Sequence, residues 1–498
     1  MKYTSEYYAE MESKIPGGGV RTRFAPSPTG YMHLGGLRTA LYAFLFARKA
    51  GGRFLLRIED TDQERFVEGA AELIYDTLRT TGLTYDEGPD AGGPAGPYIQ
   101  SERREIYNAY IALLMERGHA YRCFCDKETL EEQRRVHEAA RVPHKYDGRC
   151  SRLSEEEIAE KLDAGHPFVI RQKIPPGGTT AFDDLVYGRI EVGNTTLDDQ
   201  VLFKSDGMPT YNFANVVDDH LMGITHIIRG SEFLSSTPKY CLLYEGFGWN
   251  QPAYIHCPPI MRDAAHKLSK RDGDAYFSDF LEKGYLTEAI LNYIALLGWH
   301  PGGEEEKFTL QELAGAFEVK GISRSPAIFD PQKLRWLNGR YLRAMSPEEF
   351  HAAALPHILK GVRREIDTAY AAGLLQERCE LLSDIPELLD FVDALPDYPP
   401  ELFVSKKMKT DLENAKKALS EILPVLEKLD DWRQEAIHES LFALIERLNV
   451  KNGLILYPLR VAVSGKAFTP GGGIELCVLL GKEETLKRTR IALEKLGA

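Results

Sequence analysis

Val20-Arg21-Thr22-Arg23-Phe24-Ala25 runs directly into Pro26-Ser27-Pro28-Thr29-Gly30-Tyr31-Met32-His33-Leu34-Gly35-Gly36, and this junction decides the fold. The first six residues read as a short strand, and the turn rich in Pro and Gly ends it. Leu37 to Ala50 is helical in composition, with Leu37, Leu41, Phe44 and Leu45 at helical spacing on one apolar face. Gly51 and Gly52 stop that helix, and Arg53-Phe54-Leu55-Leu56-Arg57-Ile58-Glu59-Asp60 resumes as a strand. Strand, glycine turn, helix and strand make a βαβ unit, which binds phosphates or nucleotides at the carboxyl ends of its strands. The GxGxxG fingerprint is absent and His33 stands in the turn. At a helix start His33 can donate to phosphate oxygens, while Gly35 and Gly36 leave room for a nucleoside against the backbone. The plainer alternative is a tight turn with a surface histidine.

A second segment, His266-Lys267-Leu268-Ser269-Lys270-Arg271, changes that balance. Taken alone it is a basic loop, the ordinary fate of a charge cluster. Taken with the first segment it supplies the cations that a triphosphate needs where no Walker loop exists.

The two segments resemble the HIGH and KMSKS signatures of class I aminoacyl-tRNA synthetases, as His33-Leu34-Gly35-Gly36 and Lys267-Leu268-Ser269-Lys270-Arg271. Arg23-Phe24-Ala25-Pro26-Ser27-Pro28-Thr29-Gly30, Arg57-Ile58-Glu59-Asp60-Thr61-Asp62 and Tyr211-Asn212-Phe213-Ala214-Asn215-Val216-Val217-Asp218-Asp219-His220 narrow the resemblance to the bacterial glutamyl-tRNA synthetases. It runs from about Arg21 to the C-terminus. The fold it implies is α/β: a Rossmann-like catalytic domain with an inserted α/β acceptor-stem domain, then an all-α anticodon-binding half. The expected divisions are an extension over 1–19, the catalytic halves over 20–100 and 206–265, and a connective insertion over 101–205. A KMSKS-type loop and stem-contact region over 266–345 and a helical region over 346–498 complete the chain.

The same resemblance implies the chemistry. Glutamate is activated with ATP to glutamyl-adenylate and transferred to the terminal adenosine of its tRNA; charging of the glutamine tRNA is left open. No protein nucleophile is needed, and no Ser-His-Asp or Cys-His signature is present. His33, Lys267 and Lys270 are the expected catalytic cations, and Pro26, Thr29, Gly30, Gly35, Gly36, Leu268, Ser269 and Arg271 join them around ATP, which brings Mg²⁺. For glutamate, Arg229 corresponds to the side-chain-carboxylate partner and Arg23 is a second cation. Glu59 matches the position that meets the α-amino group, with Ala25, Ser27, Tyr211 and Asn215 as the remaining wall. Arginine suits a carboxylate because its planar fork binds both oxygens and keeps its charge.

Cys123-x-Cys125 and Cys150 match the first three positions of the Cys-x-Cys plus Cys-x-His zinc pattern of some glutamyl-type synthetases. Arg152 stands where the histidine would be, Tyr146 resembles the phenolate ligand of a shorter tRNA-modifying relative, and His144 is another candidate fourth ligand. Zinc on Cys123, Cys125, Tyr146 and Cys150 is therefore one reading, and buried thiols of a lost site the other. Cys241, Cys257, Cys379 and Cys477 have no ligand spacing and read as core.

Composition agrees with a multidomain enzyme. A chain of 498 residues with 43% hydrophobic and 27% charged residues is long enough for several ordinary cores. Seven cysteines are sparse, which suits a reducing cytoplasm, and no apolar run reaches membrane-spanning length. The net charge of −13 argues against indiscriminate nucleic-acid binding, so RNA contact must come from local basic strips. Arg103-Arg104, Arg134-Arg135, Lys406-Lys407 with Lys409, and Lys487-Arg488 with Arg490 are candidates, each with a solvated helix face as the alternative. A monomer is expected. The rivals are a small-molecule nucleotidyltransferase, against which the long helical half speaks, and a non-catalytic RNA-binding paralogue.

Overall fold

The computed structural model describes residues 3–62, 67–142, 144–268 and 275–497. They fall into two compact units, one of residues 1–280 with 290–330, the other of 281–289 with 331–498.

The first unit opens with helix α1 (Ser5–Ser13), which docks rather than trailing: Tyr8 donates to the Ala109 carbonyl, and Glu12 pairs with His220 at 2.8 Å. Strand β1 (Arg21–Phe24) leads into α2 (Leu34–Lys49), and β2 (Arg53–Leu56) returns parallel to β1, Arg21 opposite Arg53 and Phe24 opposite Leu56. The helix begins three residues before Leu37, because His33 caps it and Gly35 and Gly36 form its first turn. Gly52 permits the tight return, since a Cβ there would collide with the Val20 carbonyl. Strand β2 stops at Leu56, short of Asp60, because the backbone changes neighbours: Ile58 donates to the Tyr98 carbonyl and Glu59 to that of Pro26.

Helices α3 (Ala70–Thr80) and α4 (Arg104–Glu116) precede a small antiparallel sheet of β3 (Ala120–Cys123), β4 (Val169–Gln172) and β7 (Val201–Phe203). Helices α5 (Lys127–Ala139) and α6 (Glu155–Asp163) lie between β3 and β4 in sequence. Hairpin β5 (Thr179–Asp184) and β6 (Gly188–Gly193) falls within the stretch assigned to the insertion, yet it joins a different sheet. That sheet has the order β6-β5-β9-β8, with β8 (His226–Gly230) and β9 (Ala253–Cys257) parallel and Arg229 opposite His256. Strand β5 pairs with β9 at Asp184 and Tyr254. Helix α7 (Tyr211–Leu221) precedes β8, and α8 (Thr237–Phe247) connects β8 to β9, a second βαβ unit. Short strands β10 (Ile260–Met261) and β11 (Ala327–Ile328) pair in parallel.

The second unit is helical, as its composition implies. In Leu412–Glu427 the buried residues Ala415, Ala418, Leu419, Ile422 and Leu426 fall three, four and seven apart, the stripe that a core-facing helix needs. They share one core with Ile437 and Leu441 of Gln434–Leu448, Leu459 and Val461 of Asn452–Ser464 and Leu476 of Gly473–Leu480. Each fully buried side chain of this kind contributes about 1.5–3 kcal/mol by leaving water.

Two of the basic strips each contain an arginine that is interior. Arg488, in Lys482–Lys495, is fully buried and donates to the carbonyls of Phe391, Val392 and Val463 and to Glu484. Arg103 is likewise buried, against Asp218. Arg134 and Arg490 are exposed but ion-paired, with Glu138 and Glu427. Replacing Arg488 by Met would strand three buried carbonyl oxygens; we expect a loss of about 3 kcal/mol, read as faster amide exchange throughout residues 412–495.

Candidate active site

The first signature segment is organised by its own backbone. Gly30 has φ 122°, a conformation side chains rarely adopt, and Thr29 N donates to the Ser27 carbonyl at 2.9 Å. His33 accepts the Gly35 N–H on Nδ1 at 3.0 Å, so a neutral ring carries its proton on Nε2. The second segment is a narrow turn. Lys267 pairs with Met261, Leu268 N donates to the Ile260 carbonyl, and Asp263 accepts from the backbone N–H groups of Ala265 and His266. Ser269, Lys270 and Arg271 lie outside the described residues. Just beyond them the chain runs along the first segment: Leu34 N donates to the Ala275 carbonyl at 2.9 Å, Phe277 N to that of Met32 at 3.1 Å, and His33 pairs with Tyr276. The chain that follows the second signature thus runs alongside the first at His33.

Beside them lies a buried ionic cluster. Asp219 accepts two hydrogen bonds from Arg23, at 2.9 and 3.1 Å, and one from Arg57 at 2.8 Å. Asp218 accepts from Arg103 at 2.7 Å, Gln100 at 2.8 Å and the Tyr107 hydroxyl at 2.8 Å. Glu59 takes both of its Arg57 bonds on Oε1. Three guanidiniums therefore face three carboxylates, all nearly inaccessible to water. Burial opposes the charge on Asp219, but Arg23 and Arg57 outweigh it and hold its carboxyl below the usual range. Burial dominates at Glu59, pushing its carboxyl up to about 7 against Arg57 and Arg23.

The remaining wall is built by α7 and β8. Tyr211 opens α7, and Asn215, one turn on, donates its amide to the Tyr211 carbonyl at 2.6 Å. The Tyr211 phenol feels Glu59, Arg229 and Arg23 together, and its ring lies 5.4 Å from that of Phe233. Arg229 stands over the same Phe233 ring at 5.0 Å and over Tyr240 at 5.0 Å. Its hydrogen-bond partners are neutral: Nε meets His256 at 3.1 Å and Nη2 meets Thr237 at 2.8 Å. Nη1 is buried with no partner. Among the described residues, Arg229 is a buried cation with no carboxylate paired to it.

Residues 19–336 match the family described as tRNA synthetases class I (E and Q), catalytic domain, and residues 349–493 match an anticodon binding domain. The chain belongs to this synthetase family. It is 61% identical over 480 residues to a glutamate–tRNA ligase of Clostridium tetani, covering 96% of this chain and 98% of that one. Against the ligase of Clostridium acetobutylicum the identity is 57% over 478 residues, with 96% and 99% covered. Crystal structures of the glutamate–tRNA synthetase of Elizabethkingia anophelis and of the ligase of Elizabethkingia meningosepticum with its amino acid superpose with TM-scores of 0.87 and 0.86, both at 37% identity over 96% of this chain and essentially all of theirs. The α/β catalytic part followed by a helical half is the fold of that class. No helix among the described residues is long and apolar enough to cross a membrane.

Away from this site, the synthetase gathers Cys123, Cys125 and Cys150 with their sulfur atoms within 4.8 Å of one another. The Tyr146 hydroxyl lies 3.3 Å from the Cys123 sulfur and 3.4 Å from that of Cys125. His144 is not part of the group; it is exposed and its ring meets His137 instead. Sequence reasoning passed over Arg57, Thr237, His256 and Asp184. Arg57 and the Asp218-Asp219 pair sit inside the quoted motifs and were visible there, whereas His256 and Asp184 enter through strand register, which carries no local signature.

Replacing Asp219 by Asn would leave two buried guanidiniums short of a counter-charge. We expect a loss of about 3–5 kcal/mol, measured by thermal unfolding near neutral pH. Because the folded carboxyl is depressed, this contribution is complete above about pH 4 and is lost as pH falls through the lower folded value, so parent and variant converge only in strong acid.

Proposed function

We propose that the chain is a glutamate–tRNA ligase whose amino-acid pocket is closed by the carboxylate it recognises. The observation that carries this reading is Arg229, a buried guanidinium held by neutral partners with Nη1 unused. A glutamate side chain supplies the missing charge. Glutamine presents a neutral amide and leaves the cation uncompensated, at a cost of about 2–5 kcal/mol. Glu59 Oε2 receives the α-ammonium, and Arg23, with Nε and Nη2 on Asp219 and Nη1 donating to the Ile228 carbonyl at 3.4 Å, adds positive charge to the pocket. Ala25, Ser27, Tyr211 and Asn215 complete the wall.

The substrates provide the reacting groups. An α-carboxylate oxygen of glutamate attacks the α-phosphorus of ATP, and the bond to pyrophosphate breaks. The terminal adenosine hydroxyl of the tRNA then attacks the activated carbonyl, and AMP leaves. The protein contributes alignment and positive charge: His33 donates from Nε2, and Lys267 with Lys270 counters the charge of the triphosphate and its Mg²⁺. Pro26, Thr29, Gly30, Gly35, Gly36, Leu268, Ser269 and Arg271 form the ATP bed. The anticodon-binding match over residues 349–493 supports a tRNA substrate. Seven free thiols suit a reducing cytoplasm.

The donor set of the cysteine cluster fits zinc: three thiols and a phenol, four groups for a closed tetrahedral site. Cys123, Cys125, Tyr146 and Cys150 would hold the ion, which would tie β3 to the turn at Arg149–Arg152. Metal analysis of the purified protein should give one zinc per chain, falling well below that in Cys150→Ser.

Arg229→Leu should abolish glutamate-dependent ATP–pyrophosphate exchange, measured with total tRNA present, while the protein stays folded. Normal exchange by that variant removes the assignment. Glu59 must be ionised to meet an ammonium, and in the empty site it protonates near pH 7. The glutamate KM should therefore rise by up to about tenfold per pH unit below 7, and Glu59→Gln should flatten that slope.

A further inference from the structure

Arg229 owes its orientation to a chain of buried groups. Asp184, at the end of β5, accepts the backbone N–H groups of Val186 and Tyr187 on Oδ1, and both the backbone N–H and Nδ1–H of His256 on Oδ2. The His256 Nδ1 contact is 2.6 Å. A carboxylate taking four N–H donors is acceptor only, so the imidazole proton is fixed on Nδ1. His256 Nε2 is then a lone pair, and the Arg229 Nε–H points at it from 3.1 Å. Thr237 donates its hydroxyl proton to the Phe233 carbonyl, which turns its own lone pair toward Arg229 Nη2. Two of the three guanidinium nitrogens are thereby tied down, and the third, Nη1, is the one without a partner.

The arrangement follows from register: Arg229 lies opposite His256 across β8 and β9, and Asp184 lies beside β9 at Tyr254. Side chains on neighbouring strands are thus aligned before any substrate arrives. A carboxylate at position 256 would hold Arg229 just as well, but it would neutralise the cation and compete with the ligand. Burial, with Arg229 beside it, keeps His256 from charging, against the opposing pull of Asp184 and Glu232. The ring stays neutral and keeps its lone pair.

We propose that His256, its tautomer set by Asp184, is a positioning residue that anchors Arg229 through Nε while leaving the guanidinium uncompensated, so that Nη1 is presented to the amino acid's side-chain carboxylate. This rests on the reading of Arg229 given above. His256 itself touches no substrate. It governs how the synthetase binds glutamate and leaves ATP binding alone.

The test compares His256→Leu, which removes the acceptor, with His256→Gln, whose carbonyl can take the Arg229 Nε–H. Glutamate and ATP KM values are measured separately by pyrophosphate exchange with tRNA present, and folding is followed by thermal unfolding. We expect His256→Leu to raise the glutamate KM at least tenfold with the ATP KM within about twofold of the parent, and His256→Gln to recover most of the loss. A glutamate KM within twofold of the parent in His256→Leu overturns the proposal, as does an equal rise in both KM values. Should His256→Leu fail to fold, His256→Gln decides: a parent-like glutamate KM supports the anchor, and a tenfold rise overturns it. Arg229→Leu run alongside separates the two readings. If it activates glutamate normally, the assignment of Arg229 fails; if it is inactive while His256→Leu behaves like the parent, the anchor alone fails.

Discussion

Asp218 and Asp219, adjacent on one helix, hold three buried arginines from separate parts of the chain, and the catalytic unit is assembled around them. Arg23 arrives on β1, Arg57 just after β2 and Arg103 ahead of α4, so the pair ties α7 to the edges of the first βαβ unit. Burying any of these ions alone would cost several kcal/mol, and the pairing offsets most of that cost without adding large net stability. What it adds is placement. Arg23 and Glu59 cannot drift, because each is hydrogen-bonded into a balanced set of charges.

The balance inside that cluster gives the neighbouring Arg229 its meaning. In the same unit, Arg21 is paired with Glu87, Arg23 with Asp219 and Arg103 with Asp218. Arg229 alone among these buried guanidiniums rests on an imidazole, a hydroxyl and aromatic faces. Arg38, also buried, at least meets the backbone carbonyls of Leu297 and Pro258, whereas Arg229 has neither a carboxylate nor a carbonyl oxygen as a hydrogen-bond partner among the described residues. In the proposed function, an amino acid with a side-chain carboxylate is the natural completion. On the proposed reading of Arg229, selectivity comes from a deficit that the folded protein maintains.

The chain's local patterns foretold much of this and misled in specific places. The strand, turn and helix around His33 could be read from spacing, since each element has a local cause: a cap, a glycine stop, an apolar stripe. The helical half was equally legible, because stripes such as Ala415, Leu419, Ile422 and Leu426 are visible in one dimension. Dipeptides of arginine were not. Arg103-Arg104 looks uniform, yet one member is interior and the other hydrogen-bonds an exposed loop, and only the presence of Asp218 tells them apart. His256 and Asp184 were hidden for a related reason: 72 positions separate them, and their contact depends on which strands neighbour one another in a sheet. The cysteines stand between these cases. Their spacing suggested a cluster, but that Tyr146 would reach two sulfurs while His144 would turn to His137 is decided by a loop.

Helix α1 lies ahead of the family match, which begins at residue 19, and it is part of the first unit's packing all the same. Tyr8, Met11 and Ile15 cover an aromatic cluster containing Tyr110 and Phe247, and Glu12 sits on His220, whose ring stacks on Trp249 at 3.7 Å. A chain trimmed at the family boundary would keep every catalytic group and bare a greasy aromatic face to water. Such a protein would fail by sticking to itself, and its poor yield would be mistaken for damage to the enzyme.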